Sequence, residues 1–328
     1  MSGASLPEVA SSLKAAESLL LMTHEHPDGD AIGSLVAAHR ILESAGIDAP
    51  IHVRSDDEPA EEYRFMVPWD RVVRDIPQDL SKTTLVMLDC GNLERSPARE
   101  RGGDAAAIIN LDHHHDNTNF GALNHVDDQA SCTAEIIWRL AKELGSEIDR
   151  LTATALYVGL VTDTGRFMYD NTLSEAHVMA ADLIERGVPV ADIFRRIYEG
   201  VPQARAQLLG RALAKIERHE EGQLTMTYLS RADFDETGAI DGWSEGVVDH
   251  LRAIEGTHVA AVVREPKGRP DTRRVSLRAS TDRVDVSAIA RAGGGGGHRG
   301  AAGFSTELSH SDLVQLICSQ IRLQTEAD

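Results

Sequence analysis

The sequence predicts an α/β protein: a mainly parallel sheet with helices on both faces, then a smaller α/β domain, with an active-site cleft between the two. Three observations carry this expectation. Short apolar runs alternate with helix-length segments over residues 18–198, the pattern of a parallel sheet covered on both sides. Near Gln223 the pattern resets and a second series of strands and helices begins. A chain of 328 residues with 42% hydrophobic content is long and apolar enough for two cores.

The elements follow in order. Strands are expected over 18–23, 50–54, 84–89 and 106–112, with helices over 31–45, closed by Gly46, and over 131–144, closed by Gly145. The apolar stretch 151–162 reads as a buried helix, followed by helices over 174–186 and 190–198. A long charged helix over 202–219 would start at Pro202, a residue that suits a first helical turn. Strands over 223–229, 257–264 and 273–280, a helix over 247–254 and a final helix over 311–322 complete the chain. The expected division is a catalytic domain at 1–200, a helical linker at 201–220 and a substrate domain at 221–328.

Composition excludes several classes of function. A formal charge of −19 opposes binding to long duplex nucleic acid, which needs many phosphates neutralised. It leaves small anionic substrates open, because bound cations can supply positive charge that side chains do not. No apolar run approaches a membrane span, and the N-terminus lacks the basic and apolar regions of a signal peptide. Cys90, Cys132 and Cys318 are scattered and odd in number, which fits reduced thiols and a cytoplasmic protein better than a disulfide framework.

The chemistry gathers at the ends of apolar runs. Residues 19–22 lead into Thr23-His24-Glu25-His26-Pro27-Asp28-Gly29-Asp30, residues 85–88 into Asp89, residues 108–111 into Asp112-His113-His114-His115, and residues 160–162 into Asp163. In an open parallel sheet these ends share one edge, where ligands bind. A lone Asp there is often a cap or turn residue. So many carboxylates together repel one another unless a cation joins them, and mixed carboxylate and imidazole donors suit a transition metal such as Mn2+.

These segments resemble the four motifs of the DHH phosphoesterases: His24-x-x-Pro27-Asp28-Gly29-Asp30, Asp89, Asp112-His113-His114, and Thr162-Asp163-Thr164-Gly165. Ser276-Leu277-Arg278 and Gly295-Gly296-Gly297-His298-Arg299-Gly300 look like the DHH-associated substrate domain. Within the family the chain is most similar to the stand-alone oligoribonuclease and pAp phosphatase subgroup, some relatives of which hydrolyse cyclic di-AMP. The resemblance implies one divalent ion on His24, Asp28 and Asp89, and a second on Asp30, Asp89, His113 and Asp163. Mn2+ is the expected ion, with Mg2+ or Co2+ as alternatives. Asp89 would bridge the ions and His114 would face the substrate phosphate, acting in catalysis with Asp89. Asp112 would orient the neighbouring histidines, while His26 and His115 have no ligand role. A metal pair can activate water and clamp the attacking and leaving oxygens.

In the second domain, residues 264–283 hold seven basic and three acidic side chains, +4 against the chain's −19. A charged strand pair can simply be a solvated face, and a glycine run can be a linker. The resemblance implies instead a phosphate cradle at Gly296 and Gly297 beside His298, with Arg278 forking onto a substrate phosphate. The expected activity is that of a Mn2+-dependent phosphodiesterase and 3′(2′),5′-bisphosphate nucleotidase. It would cut nanoRNA and linear dinucleotides and convert pAp to AMP, with cyclic di-AMP as a further substrate. A dedicated cyclic di-AMP phosphodiesterase is the main alternative, ahead of an inorganic pyrophosphatase or polyphosphatase and a non-catalytic nucleotide-binding regulator. The sequence is compatible with a homodimer and fixes neither oligomeric state nor cleavage polarity.

Overall fold

The computed structural model describes residues 3–325 apart from Pro270 and His298, and the chain divides into two compact units, Met1–Glu199 and Gly200–Asp328. The first unit opens with α1 (Leu6–Ala15), β1 (Ser18–Met22), α2 (Gly29–Ser44), β2 (Ile51–His52), β3 (Val72–Val73) and β4 (Thr83–Leu88). It continues through β5 (Ala107–Asp112), β6 (Leu123–Val126), α3 (Thr133–Leu144), α4 (Arg150–Asp163), α5 (Ser174–Glu185) and α6 (Val190–Tyr198). The sheet runs β3-β2-β1-β4-β5-β6, with every neighbouring pair parallel.

Strand order explains where the site falls. The chain steps from β1 outward to β2 and β3, then returns to lay β4 on the other side of β1. Connections therefore leave β1 and β4 in opposite directions, opening a crevice at their carboxyl ends. Met22 pairs with Met87 and Leu88 with Leu111, so His24, Asp89 and Asp112 emerge on one edge.

Both faces of these strands are buried, as their unbroken apolar runs require. Leu19, Leu21, Val86, Leu88, Ile109 and Leu111 join a core with α1 to α6. The alternate residues Leu20, Met22, Leu85, Met87 and Ile108 pack with Leu80, Cys90 and Ala98, near short helical turns at Leu93–Arg95 and Gly102–Asp104. In that main core α2 meets α4 at glycine contacts. A Cβ on Gly33 would lie 2.5 Å from the Ala155 carbonyl, and one on Gly159 would lie 2.8 Å from Asp30 Oδ1. Glycine at both positions lets the helices approach closely enough to set the end of α4, Asp163, beside the start of α2.

The second unit contains α7 (Gln203–Ala214), β7 (Glu217–His219), β8 (Leu224–Leu229), α8 (Arg231–Thr237), α9 (Val247–Arg252), β9 (Val259–Arg264) and β10 (Arg273–Ala279). After these come α10 (Val286–Ala292), β11 (Gly296–Gly297), β12 (Ala301–Thr306) and α11 (His310–Thr325). Its sheet order is β11-β12-β10-β9-β8-β7. Only β8 and β9 are parallel; the other pairs are antiparallel. Val259, Ala261 and Val263 face α10 and α11, while Ala260 and Val262 face α7, α8 and α9.

Several elements differ from expectation. The helix expected over 202–219 ends at Ala214, and Glu217–His219 instead pairs with β8. The strand expected over 50–54 shrinks to Ile51–His52, and α1, β3, β6, α8, α10 and β12 were not foreseen. No helix among the described residues is long and apolar enough to cross a membrane, and the three cysteines are buried and free.

Candidate metal centre

Helix α2 begins in the loop that leaves β1, and its cap is itself a site residue. Asp28 is the N-cap, its Oδ1 accepting from the amides of Asp30 and Ala31, both at 3.1 Å. Among the described residues its other oxygen receives no hydrogen bond. Asp30 stands in the first turn, where the helix dipole favours an anion.

Helix α3 starts two residues later than the sequence pattern implies, for a related reason. Its N-cap is Cys132, which makes no side-chain cap. Asp30 supplies one from α2: its carboxylate accepts the Thr133 amide at 2.7 Å and the Ala134 amide at 3.0 Å. Ser34 adds a third donor at 3.2 Å. Two helix starts thus rest on ligand-type carboxylates.

Asp89 follows β4 directly, in a left-handed conformation with φ 55°, which is uncommon for a residue other than glycine and recurs at functional sites. Its side chain is buried and its two oxygens face different imidazoles. Oδ2 lies 3.7 Å from His24 Nε2, whereas Oδ1 lies 3.7 Å from His113 Nε2 and also 3.7 Å from His114 Nδ1. His113 Nε2 is in turn 3.7 Å from Asp163 Oδ2.

Hydrogen bonds fix which imidazole nitrogens are available. His24 Nδ1 lies 2.8 Å from the Glu25 carbonyl; a carbonyl only accepts, so Nδ1 carries the proton and Nε2 keeps its lone pair. His114 Nδ1 is 2.7 Å from Asp112 Oδ1, the same oxygen that accepts the His113 amide. Asp112 Oδ2 accepts from Asn117 Nδ2 at 2.6 Å. Asp112 therefore contacts both neighbouring histidines, His113 at its amide and His114 at its ring.

Three trios of donor atoms result, each with its atoms within 4.8 Å of one another: His24, Asp28 and Asp89; Asp30, His113 and Asp163; and Asp89, His113 and His114. Asp89 links the first and third, and His113 the second and third. Their electrostatics call for a cation. Burial, then repulsion from Asp89, raises the carboxyl groups of Asp28 and Asp30. Asp163 is pushed up to about 6, first by burial and then by Asp89 and Asp28 against the pull of His113. Asp89 goes the other way, to about 2, because the surrounding imidazoles outweigh its burial. Bonding to Asp112 lifts His114 to about 9. Divalent cations among these donors would relieve the repulsion, and the mixed set fits them.

Residues 18–160 match the DHH family, N-terminal domain, and residues 222–322 the DHHA1 domain. The chain is 33% identical over 309 residues to the bifunctional oligoribonuclease and PAP phosphatase NrnA of Thermus thermophilus, covering 94% of this chain and 89% of that protein. The chain belongs to the DHH family. Its identity to the bifunctional oligoribonuclease and PAP phosphatase NrnA of Bacillus subtilis is 26%, over 91% of this chain and 92% of that one. An exopolyphosphatase-related protein from Bacteroides fragilis shares the fold, with a TM-score of 0.88 at 22% identity over 98% of this chain and 96% of that chain.

In this DHH protein the structure gathers His24, Asp28, Asp30, Asp89, Asp112, His113, His114 and Asp163 in the first unit. Arg278, Gly296 and Gly297 sit in the second, on the two strands that flank β12: Arg278 pairs with Ala301 and Gly297 with Ala302. The glycine run is packed chain, not a loose linker. A Cβ on Gly295 would meet the Gly303 carbonyl at 2.2 Å, and one on Gly297, with φ 140°, would meet the Ala301 carbonyl at 2.6 Å. Gly296 faces open space, and His298 lies outside the described residues. His26 is exposed and bound by Asp57 through both Nδ1 and its amide. Sequence reasoning missed Thr133, whose hydroxyl donates to Asp89 Oδ1 at 2.9 Å, and Asn171, which donates to Asp163 Oδ2 at 3.0 Å. No local signal marks either, since each reaches its partner from a different element.

Proposed function

We propose that this DHH protein is a metal-dependent phosphoesterase that hydrolyses short oligoribonucleotides and linear dinucleotides to mononucleotides. It also removes a phosphate from pAp to give AMP, and cyclic di-AMP is a further substrate. The observation that carries this reading is Asp89, whose two oxygens face separate sets of imidazoles. The named activities of the Thermus and Bacillus relatives support the choice of substrate.

His24, Asp28 and Asp89 would hold one divalent ion, and Asp30, Asp89, His113 and Asp163 a second, with Mn2+ the preferred metal by donor type. Bound there, the ions supply positive charge to the reacting phosphate and make water a better nucleophile. The chain's residues do the positioning. His24 presents Nε2 because Glu25 holds its other nitrogen. Asp112 holds His114 by Nδ1, which leaves Nε2 to bind a phosphate oxygen. Arg278 offers a guanidinium fork to a substrate phosphate, and the open face of Gly296 admits a phosphate to the backbone.

The test is one panel of Mn2+-dependent assays on pAp, cyclic di-AMP, a linear dinucleotide and short RNA, read as kcat/KM, with inorganic pyrophosphate as control. Turnover of linear dinucleotides, short RNA and pAp supports the reading; preference for pyrophosphate overturns it. In the same assays Arg278→Ala is expected to raise KM for dinucleotides by about tenfold, the worth of one charge-assisted contact. A generic aryl phosphate diester should be little affected. Equal effects on both substrates would remove Arg278 from substrate recognition.

A further inference from the structure

Thr133 touches both halves of the carboxylate cluster. Its amide donates to Asp30 Oδ2 at 2.7 Å and its hydroxyl to Asp89 Oδ1 at 2.9 Å. The residue is fully buried, so water does not compete for these bonds. It opens α3, the helix that lacks a side-chain cap of its own. Glycine on α4 keeps the opposite side tight: Gly159 lies against both Ala134 and Asp30.

The two oxygens of Asp89 are not treated alike. Oδ2, facing His24, receives no hydrogen bond among the described residues, whereas Oδ1, facing His113 and His114, receives the Thr133 hydroxyl. A carboxylate oxygen has two acceptor sites, so the hydroxyl occupies one and fixes the direction of the other.

We propose that Thr133 is a positioning residue chiefly for the second ion, acting through Asp89 Oδ1 and Asp30 on the site shared with His113 and Asp163. The inference rests on the two-ion reading above. Loss of the hydroxyl frees the Asp89 carboxylate to turn; the site of His113 and Asp163, on the side of the lost hydrogen bond, is disturbed more than the site where His24 and Asp28 keep their own supports. The backbone bond to Asp30 survives any side-chain change, so the hydroxyl's effect can be isolated. Valine is close to threonine in shape and removes only the hydroxyl, serine keeps it, and alanine removes it while leaving space.

The experiment is calorimetric titration of the full chain with Mn2+, with bound ions counted by electron paramagnetic resonance. The metal-free melting temperature of each variant is recorded alongside. Wild type is expected to show two binding steps. Thr133→Val should weaken one of the two steps by about tenfold to a hundredfold, the usual range for loss of a group that orients a ligand, and the other step by clearly less. Thr133→Ser should bind as wild type, and Thr133→Ala should repeat the valine result if valine disturbs folding. Thr133→Val and Thr133→Ala that bind both ions normally would overturn the proposal. So would equal weakening of both steps, or a serine variant as impaired as valine. A wild type that takes up fewer than two ions would instead overturn the two-ion reading and this inference with it.

Discussion

The carboxylate of Asp163 is held by Asn171, whose amide nitrogen donates to Oδ2 at 3.0 Å and to the Ser131 carbonyl at 2.8 Å. Three acceptors surround that nitrogen, which settles the amide's orientation. Replacing Asn171 by Ala strips a donor from half-buried acceptors, so a loss of about 1 kcal/mol in stability is expected. Metal affinity should fall by about tenfold as Asp163 loses its orientation; urea denaturation and Mn2+ binding measure the two effects separately. Unchanged Mn2+ affinity would show that Asn171 only braces its loop. At this scale the ligand-type residues were legible because each sits at the end of an apolar run. Thr133 and Asn171 were not: Thr133 lies 103 residues from Asp30, which leaves no spacing to read, and Asn171 reaches Asp163 from the turn after α4, which carries no pattern of its own.

Among the elements, α4 shows how one capping residue serves packing. Asp149 is its N-cap, accepting the Thr152 amide at 2.8 Å, and also meets Arg40 of α2 at 2.6 Å. Burial acts to raise its carboxyl group, but the Arg40 and Thr152 bonds outweigh it and hold the group down at about 2. A lowered folded-state value means the stabilisation is complete above the ordinary carboxylate range and is lost as pH falls toward the folded value. Asp149→Ala should therefore cost about 1 kcal/mol near neutrality, chiefly as a lost cap, since the half-exposed ion pair adds little. The gap between wild type and variant should narrow as pH drops from about 4 toward about 2. Denaturation midpoints across that range check it, and a gap that widens with acid would refute the sign. Long periodic helices such as α5 and α6 were readable from pattern. Two-residue strands were not, and the break after Ala214 was hidden because a charged strand at a sheet edge looks like a continuing polar helix face.

For the molecule as a whole, the parallel sheet was legible because strands buried on both faces leave continuous apolar runs. The order β3-β2-β1-β4-β5-β6 was not, although it decides that the crevice opens between β1 and β4. The second unit was recognised as α/β, but its mixture of one parallel and several antiparallel pairs is set by long-range pairing that alternation does not encode. A net charge of −19 is consistent with a protein that gathers carboxylates for cations and takes small substrates. The central claim, that Asp89 joins two ion sites into one hydrolytic centre, is tested most directly by Asp89→Asn. Asparagine tolerates the left-handed backbone at this position, so the metal-free melting temperature should stay close to wild type. Mn2+-dependent hydrolysis of a linear dinucleotide should fall by about a hundredfold to a thousandfold or more; a folded variant with full activity would contradict the claim.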